Sequence, residues 1–275
     1  MNEIIDYFEQ DKNKIIIYLN HDNYTFYIKD LINNNEYVFD HVIDIRSSYI
    51  IDRSDGGCFI ILICIVDNLD EYYNDKYIPL MYMMNPNRPD KLKKIIISSK
   101  VKNNFDNTAL LSKNFDIVGL TNQKADKEFV FCHPNLICAC KYDKSTHFIF
   151  ATLESIWIYD LIKKTMRRSN ISFHNIRKVI YYDPLLFILD GNVIKVFNRH
   201  IKLVDTYKNI NFIEDMMIIK QFLCIKERNS SKTNLFKIIN VKNWNMVTKY
   251  ECKYNTKKMI RCFNQFKFIN PMFKQ

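Results

Sequence analysis

The sequence predicts an all-β fold in which a unit of short strands recurs about every forty residues. Apolar and polar residues alternate in short runs, and hardly any stretch shows a helical pattern. Each run ends at a residue, here called the anchor, that precedes a short polar turn. The anchors lie 37, 52, 41, 38 and 42 residues apart, at Asp30, Asp67, Gly119, Asp160, Asn198 and Asn240.

The residues before each anchor have strand spacing. The fourth and the second residue before all six anchors are apolar, and residues two apart on a strand point to the same face. The stretch FIFATLESIWIYDLIKKT, residues 148–165, shows the unit clearly as two apolar runs around a polar break, followed by Asp160 and a basic turn. We therefore interpret this stretch as one copy of a repeat.

A period near forty residues, built from short strands, is typical of a β-propeller. The sequence predicts one propeller domain over residues 1–275, most repeat-like at 130–252, with six four-stranded blades and seven as the alternative. An open ring would leave two exposed strand edges. Residues 257–270, KKMIRCFNQFKFIN, are predicted to close it by pairing with the first unit, which begins near residues 14–19.

Turn chemistry supports this interpretation. Asp190-Gly191 stands between two apolar runs, which predicts a tight hairpin with positive φ. The chain has only four glycines, so the asparagines at 33–35 are expected to adopt the left-handed conformation in their place. The longest gap between anchors contains MYMMNPNRPDKLKK, residues 81–94, and predicts an insertion or a misplaced unit there.

Residues 132–161, CHPNLICACKYDKSTHFIFATLESIWIYDL, resemble a WD repeat. His133 stands at the family's Gly-His position, with Cys132 in place of the glycine, and Tyr159-Asp160 stands at its Trp-Asp position. The next unit is similar, with His174 and Phe197-Asn198 at the same two places. The resemblance covers most of the chain.

The resemblance implies a hydrogen-bond network in each unit between the His, a turn acid and a hydroxyl. Thr152 would supply the hydroxyl of the first unit, and Asp190 the turn acid of the second. The repeats also resemble the WD-repeat region of BTB/POZ and WD-repeat proteins of large DNA viruses, with the same Asn, Ile and Lys bias. Residues 1–25 are too short for a BTB domain.

The family resemblance implies a non-enzymatic platform for protein–protein interactions, such as a substrate-recognition or adaptor module. In the family's geometry, the loops that open each blade share one face with the loops that precede each third strand. The candidate partner-binding residues on that face are His133, His174, Asn175, Glu227, Arg228, Asn229 and Lys232.

The net charge of +10 leaves a second class open. A basic excess can serve binding to nucleic acid, but the chain has no block of five or more basic residues, and dispersed lysines favour a solvated surface. A nucleic-acid-binding propeller is therefore the first alternative. A hydrolase whose dispersed acids meet in the central channel is the second.

A metal site has one candidate set, which is Cys132, His133, Cys138, Cys140 and His147. Two of the cysteines flank Ala139 in an alternating strand, and the chain has no Cys-x-x-Cys, so core cysteines are favoured over zinc ligands. Neither a Gly-x-Ser-x-Gly elbow nor a phosphate loop occurs. We expect no catalytic residue, metal or cofactor.

Eight cysteines, most of them in apolar runs, favour a reducing compartment. The longest apolar run, residues 58–66, has about half the length needed to cross a bilayer. The N-terminus carries acids early and resembles no signal peptide. We expect a cytoplasmic monomer without membrane contact.

Overall fold

The computed structural model describes residues 2–10, 13–20, 22–39, 42–53, 56–66, 77–85, 87–95, 97–100, 110–111, 117–118, 128–142, 146–208, 211–219, 221–228 and 234–252. The chain divides into two compact units, residues 1–179 and 180–275.

The described residues between 2 and 95 form two antiparallel sheets. The first has the order β1-β2-β3-β4 and the second the order β5-β6-β7-β8. Their strands are β1 (Asn2–Gln10), β2 (Asn13–Asn20), β3 (Thr25–Asp30), β4 (Asn35–Phe39), β5 (Val42–Asp52), β6 (Cys58–Val66), β7 (Ile78–Asn85) and β8 (Arg88–Ile95).

The next sheet departs from this sequential pairing, because its order is β11-β10-β12-β9. Its strands are β9 (Ser98–Lys100), β10 (Leu110–Leu111), β11 (Ile117–Val118) and β12 (Glu128–Phe131). A regular sheet of order β13-β14-β15-β16 follows, with β13 (Leu136–Tyr142), β14 (His147–Thr152), β15 (Ile156–Asp160) and β16 (Thr165–Arg168).

The last two described sheets are regular again, with the orders β17-β18-β19-β20 and β21-β22-β23-β24. Their strands are β17 (Ile176–Tyr182), β18 (Leu185–Asp190), β19 (Val193–Phe197), β20 (Leu203–Lys208), β21 (Phe212–Ile219), β22 (Phe222–Arg228), β23 (Asn234–Asn240) and β24 (Met246–Cys252).

These sheets confirm the predicted fold class, an all-β propeller with four-stranded blades. Five of the six described sheets are meanders in which consecutive strands pair, as in a propeller blade. The described residues contain no helix long and apolar enough to span a bilayer. The prediction of a single domain remains a prediction, and the proposed closing segment 257–270 lies outside the described residues.

The middle strands of the sheets are buried on both faces. In β6 every residue except Ile65 is buried, and in β18 the residues from Leu186 to Asp190 are all buried. Within the first unit, one core cluster joins residues of β2 and β3 to β6 and β7, and a second joins β6 and β7 to β13, β14 and β15. The β5–β8 sheet therefore packs against a regular sheet on each of its two faces.

Four predicted anchors occupy equivalent places. Asp30, Asp160 and Asn240 are the last residues of third strands, and Asn198 directly follows one. In each case the side-chain Oδ1 accepts a hydrogen bond from the backbone N–H two residues on, at 2.9, 3.0, 3.0 and 2.9 Å for the anchors at 30, 160, 240 and 198. The anchor closes the turn into the fourth strand, as Asx turns do.

The anchor predicted at Asp67 is wrong. The apolar run before it is β6, a second strand paired on both sides, while the third strand β7 ends at Asn85. Asn85 is the anchor, since its Oδ1 accepts from the N–H of Asn87 at 2.9 Å. Second and third strands are both apolar, so periodicity alone does not distinguish them.

Of the two alternatives predicted for residues 81–94, the insertion is wrong, because these residues form most of β7 and β8. The misplaced unit is confirmed, since the anchor of this sheet is Asn85 and not Asp67. The repeat period is interrupted further along, where the chain forms the irregular β9–β12 sheet. Gly119 and Asp67 lie outside the described residues.

The predicted turns are confirmed. Gly191 has φ 58° in the two-residue connection between β18 and β19, at the first central position, where a type II′ turn requires it. Asn34 has φ 54°, as its tolerance of the left-handed region predicts. Lys164 (φ 51°) and Ile201 (φ 57°) adopt the same conformation in equivalent turns, although their residue types do not favour it.

We predict that Asp160→Ala lowers the free energy of unfolding by about 1 kcal/mol, because the N–H groups of Ile162 and Lys163 lose their acceptor. Asp160→Asn is the matched control and retains most of the stability, because Asn fills this place at Asn198. Urea unfolding at pH 7 measures both. Equal losses for the two variants would contradict the turn-closing role.

Asp160 also makes the free energy of unfolding depend on pH. Hydrogen bonds from the backbone, that of Lys163 first, hold the pKa of Asp160 below its ordinary value. A carboxylate with a lowered folded-state pKa stabilises the fold above its unfolded pKa of about 3.9, and this contribution is lost as the pH falls through the folded-state value. Asp160→Asn should therefore lose less stability than the parent between about pH 4 and pH 2.

Lys164→Gly should raise the free energy of unfolding by about 0.5 kcal/mol, because glycine adopts positive φ without a Cβ penalty. Lys163→Gly is the matched control. Lys163 is not among the positive-φ residues, so there glycine adds entropy to the unfolded chain, removes the ion pair of the Lys163 ammonium with Asp160 (4.0 Å), and should destabilise. The thermal midpoints should move in opposite directions, and a fall for both variants would contradict the assignment of the turn.

Candidate functional site

Three chain segments of the first unit meet at one end of the β13–β16 sheet. They are residues 133–135 before β13, residues 153–155 between β14 and β15, and residues 173–176 at the start of β17. The N–H of Leu153 donates to the carbonyl of Asn135 at 3.2 Å, that of Phe173 to Glu154 at 3.0 Å, and that of Ile176 to Leu153 at 2.6 Å. We refer to these three segments as the loop cluster.

The first segment of the loop cluster is supported from behind by Tyr77. Tyr77 and His133 exchange two backbone hydrogen bonds, of 3.2 and 3.1 Å. The guanidinium of Arg46 lies 3.5 Å from the centre of the Tyr77 ring and donates to the carbonyl of Leu136 at 3.0 Å. The Tyr77 hydroxyl donates to Asp44 at 3.0 Å, and burial and then this bond raise the Tyr77 pKa.

A pocket of about 330 Å³ opens within the loop cluster. Its floor is the indole of Trp157, which is 3% exposed and packs 5.4 Å from the Phe131 ring. Its polar lining includes His133, Asn135, Glu154, Ser155 and Arg168. The guanidinium of Arg168 lies 5.9 Å from the centre of the indole, within the range of a cation–π contact.

Two hydroxyls of the pocket stabilise the turn before β15. The Thr152 hydroxyl donates to the carbonyl of Ser155 at 3.1 Å and accepts from the Ser155 N–H at 3.1 Å. The two side-chain oxygens are 2.9 Å apart. These bonds lie within one turn, and Thr152 shares the pocket with His133, the histidine to which the family resemblance assigns it.

The structure places the three predicted site residues of this unit together. His133 and His174–Asn175 belong to the two segments that each hydrogen-bond to residues 153–155, the turn before β15, and of the three residues only His133 lines the pocket. The ring Nδ1 of His133 accepts from the Asn135 N–H at 3.0 Å. His174 and Asn175 are exposed.

The sequence did not identify Trp157, Glu154 or Arg168 as binding residues. Trp157 lies in the core cluster that joins β6 and β7 to β13, β14 and β15. Arg168 ends β16 and lies opposite Trp157 in the ladder. No signal in the sequence indicated this pair, because the register of the fourth strand decides which residue faces an aromatic residue of the third strand.

Two predicted site residues lie in β22 of the second unit. Glu227 is completely buried, with Oε1 3.0 Å from the Lys237 ammonium and Oε2 accepting from the Asn211 amide at 3.3 Å. Arg228 is exposed, and its Nε lies 3.6 Å from Glu214. Glu227 therefore belongs to the core. Asn229 and Lys232 lie outside the described residues.

The pair Glu227–Lys237 repeats a pair of the preceding sheet. The Lys195 ammonium lies 2.6 Å from the Asp190 carboxylate. In both sheets the lysine is on the third strand, and the acid stands two residues beyond the lysine's partner on the second strand. Asp190, which the family resemblance predicts as a turn acid, therefore binds a lysine.

The Lys237 ammonium also lies 3.4 Å from the Tyr207 hydroxyl. Burial opposes its charge, but the hydrogen bond with Glu227 and the electrostatic interactions with Tyr207 and Glu227 prevail and raise the pKa of Lys237.

The cysteines of the zinc candidate set are spread along a strand and its approach. Cys132 and Cys140 are buried and Cys138 is half-buried. Burial raises the pKa of Cys138 to about 11, which disfavours the thiolate that a metal requires. Among the described residues, no three His, Cys, Asp or Glu side chains are placed to hold a metal ion.

No protein-family model and no curated protein matches the chain. Similar solved structures are Hsv2 of Kluyveromyces lactis with loop 6CD replaced by a Gly-Ser linker (11% identity, TM-score 0.49) and the WD40 domain of Neurospora crassa Pan2 (8%, 0.48). The alignments cover 92% and 90% of this chain and 68% and 65% of those chains. BamB of Moraxella catarrhalis is a third (6%, 0.43; 80% of this chain and 53% of that chain). The fold assignment rests on the sheet topology.

Lys237→Met should lower the free energy of unfolding by about 3 kcal/mol, because it leaves the Glu227 carboxylate buried without its cation. The double variant Lys237→Met/Glu227→Leu is the control and should recover most of the loss, since no charge remains buried. Denaturant unfolding at pH 7 measures the coupling. Additive losses would show that the two side chains do not interact.

Proposed function

We propose that this protein is a non-enzymatic interaction platform that binds a protein partner through the loop cluster. The observation that carries the proposal is the pocket of about 330 Å³ between hydrogen-bonded loops, with an aromatic floor and a polar rim. Loops held by a rigid sheet are the usual place for binding residues. A buried aromatic surrounded by polar groups is a common anchor point at protein interfaces.

The proposed contact residues are His133, His174 and Asn175 in the loop cluster. Arg228 is proposed as a contact residue of the second unit, supported by the buried Glu227 one residue before it. Asn229 and Lys232 complete the proposed set outside the described residues. In the adaptor form of this proposal, a cytoplasmic partner is held for another protein to act on.

The arrangement of the hydroxyls supports binding over catalysis. Thr152 and Ser155 bond to each other and to the turn backbone, so their hydroxyls already hold the pocket wall in place. A nucleophile would instead need a base within hydrogen-bond reach of its oxygen.

Nucleic-acid binding is the second candidate, and one observation favours it. Residues 161–182 contain six Lys or Arg and no Asp or Glu, within a chain of net charge +10. Binding through such a surface would fall steeply with rising salt, because phosphate neutralisation releases counterions.

The proposed function predicts that partners depend on the pocket rim. Tagged wild-type protein and the variant Glu154→Ala/Arg168→Ala are recovered from cells with their bound proteins, which are quantified by mass spectrometry. We expect one or a few proteins to fall at least about fivefold with the rim variant, since rim contacts fix the pocket's occupant. Lys163→Ala is the control, because Lys163 lies in the β15–β16 turn at the other end of β16.

Thermal midpoints confirm that both variants fold. Recovery of the same proteins in equal amounts with all three would contradict the proposal. Loss of every bound protein after nuclease treatment would favour the nucleic-acid candidate.

A further inference from the structure

We propose that the pocket of the loop cluster recognises an acidic side chain in an exposed segment of the partner protein, with Arg168 as the residue that binds its carboxylate. This inference rests on the proposed function, since it specifies the chemistry of the same pocket.

Arg168 is the arginine of the pocket lining. Its guanidinium is exposed on the pocket rim, lies over the indole of Trp157, and makes no ion pair with any described residue. A guanidinium resting on an aromatic ring is preorganised, and its planar fork matches the two oxygens of a carboxylate.

The residues around Arg168 in the sequence carry positive charge. Between Asp160 and Asp183 the sequence has no acid, while Lys163, Lys164 and Arg167 are exposed on the same hairpin as Arg168. Arg46 supports the other side of the loop cluster through the carbonyl of Leu136. A negatively charged segment would therefore meet a field of the right sign as it approaches.

Two acids near the loop cluster oppose this field. Asp44 already accepts the Tyr77 hydroxyl and lies behind the loops. Glu154 lines the pocket itself, is exposed, and forms no ion pair with any described residue. Because Glu154 and Arg168 carry opposite charges at one rim, substitutions at the two positions must change the affinity for a charged ligand in opposite directions.

A protein segment fits these features better than a nucleic acid. The pocket volume suits one or two side chains, and its lining contains a single arginine together with the exposed polar side chain of Asn135. A nucleic acid would contact the lysines along the hairpin as strongly as Arg168, because its charge is spread along the strand. Lys163 and Arg168 are therefore the positions that distinguish the two ligands.

The test selects random displayed peptides of about twelve residues on the full chain and measures the affinity of one selected peptide for four variants by fluorescence anisotropy. We expect the selected peptides to share an Asp or Glu at one position. Arg168→Ala should weaken binding about tenfold, Arg168→Lys by less, and Glu154→Gln should tighten it about threefold.

Lys163→Glu is the control for the general field. It lies roughly 13 Å from Arg168 along the hairpin, beyond the screening length of about 8 Å at physiological salt, and should change the affinity less than twofold. Thermal midpoints within a few degrees of the parent confirm that the variants fold. A peptide with phosphoserine at the fixed position that binds as tightly would extend the recognised group to a phosphoryl anion.

Three outcomes would overturn the inference. In the first, the selected peptides share no acidic position. In the second, Glu154→Gln binds the peptide more weakly than the parent does. In the third, Lys163→Glu and Arg168→Ala weaken binding equally and single-stranded oligothymidine competes with the peptide. Peptides that bind the pocket by uncharged residues would leave the interaction platform standing and remove only the acidic specificity. If no selected peptide depends on any loop-cluster residue, the proposed function fails as well.

Discussion

Burial of the second strand on both faces is the constraint on which the rest of this structure depends. β6 and β18 are almost wholly buried, so each of their backbone groups must bond within its own sheet and each side chain must meet a neighbouring sheet. A strand so enclosed cannot supply polar groups for recognition. Charged and polar functions are therefore confined to turns, outer strands and the few buried positions that carry paired charges.

The charge pairs show how the second unit meets this constraint. At the third residue before the anchor, the first unit has aromatic residues, the half-buried Tyr27 and the core residue Trp157. Lys195 and Lys237 occupy this position in the second unit, and the ammonium of each pairs with an acid of the second strand. A lysine there is tolerated because its stem lies along apolar surface and its ammonium meets a carboxylate.

The loop cluster illustrates which part of a site can be predicted from sequence. His133 and His174 were placed on one face because blade-opening loops follow the repeat, and repeat geometry is encoded in strand spacing. Glu154 and Arg168 were not assigned to the pocket, because their meeting depends on the length of the β14–β15 turn and on the register of β16 against Trp157. Neither the turn length nor the strand register can be predicted from residue type. Glu227 was likewise predicted to lie in a loop, although its side chain is buried.

The sequence by itself determined the all-β class, the repeat of short strands, and the polar anchors that close turns at Asp30, Asp160, Asn198 and Asn240, because strand alternation and side-chain capping are local. Only the tertiary structure decided that β6 is a second strand, that Asn85 is the anchor of its sheet, and that the β9–β12 sheet departs from the regular strand order. The physical reason is that two apolar strands are interchangeable in pattern, and pairing partners alone tell them apart.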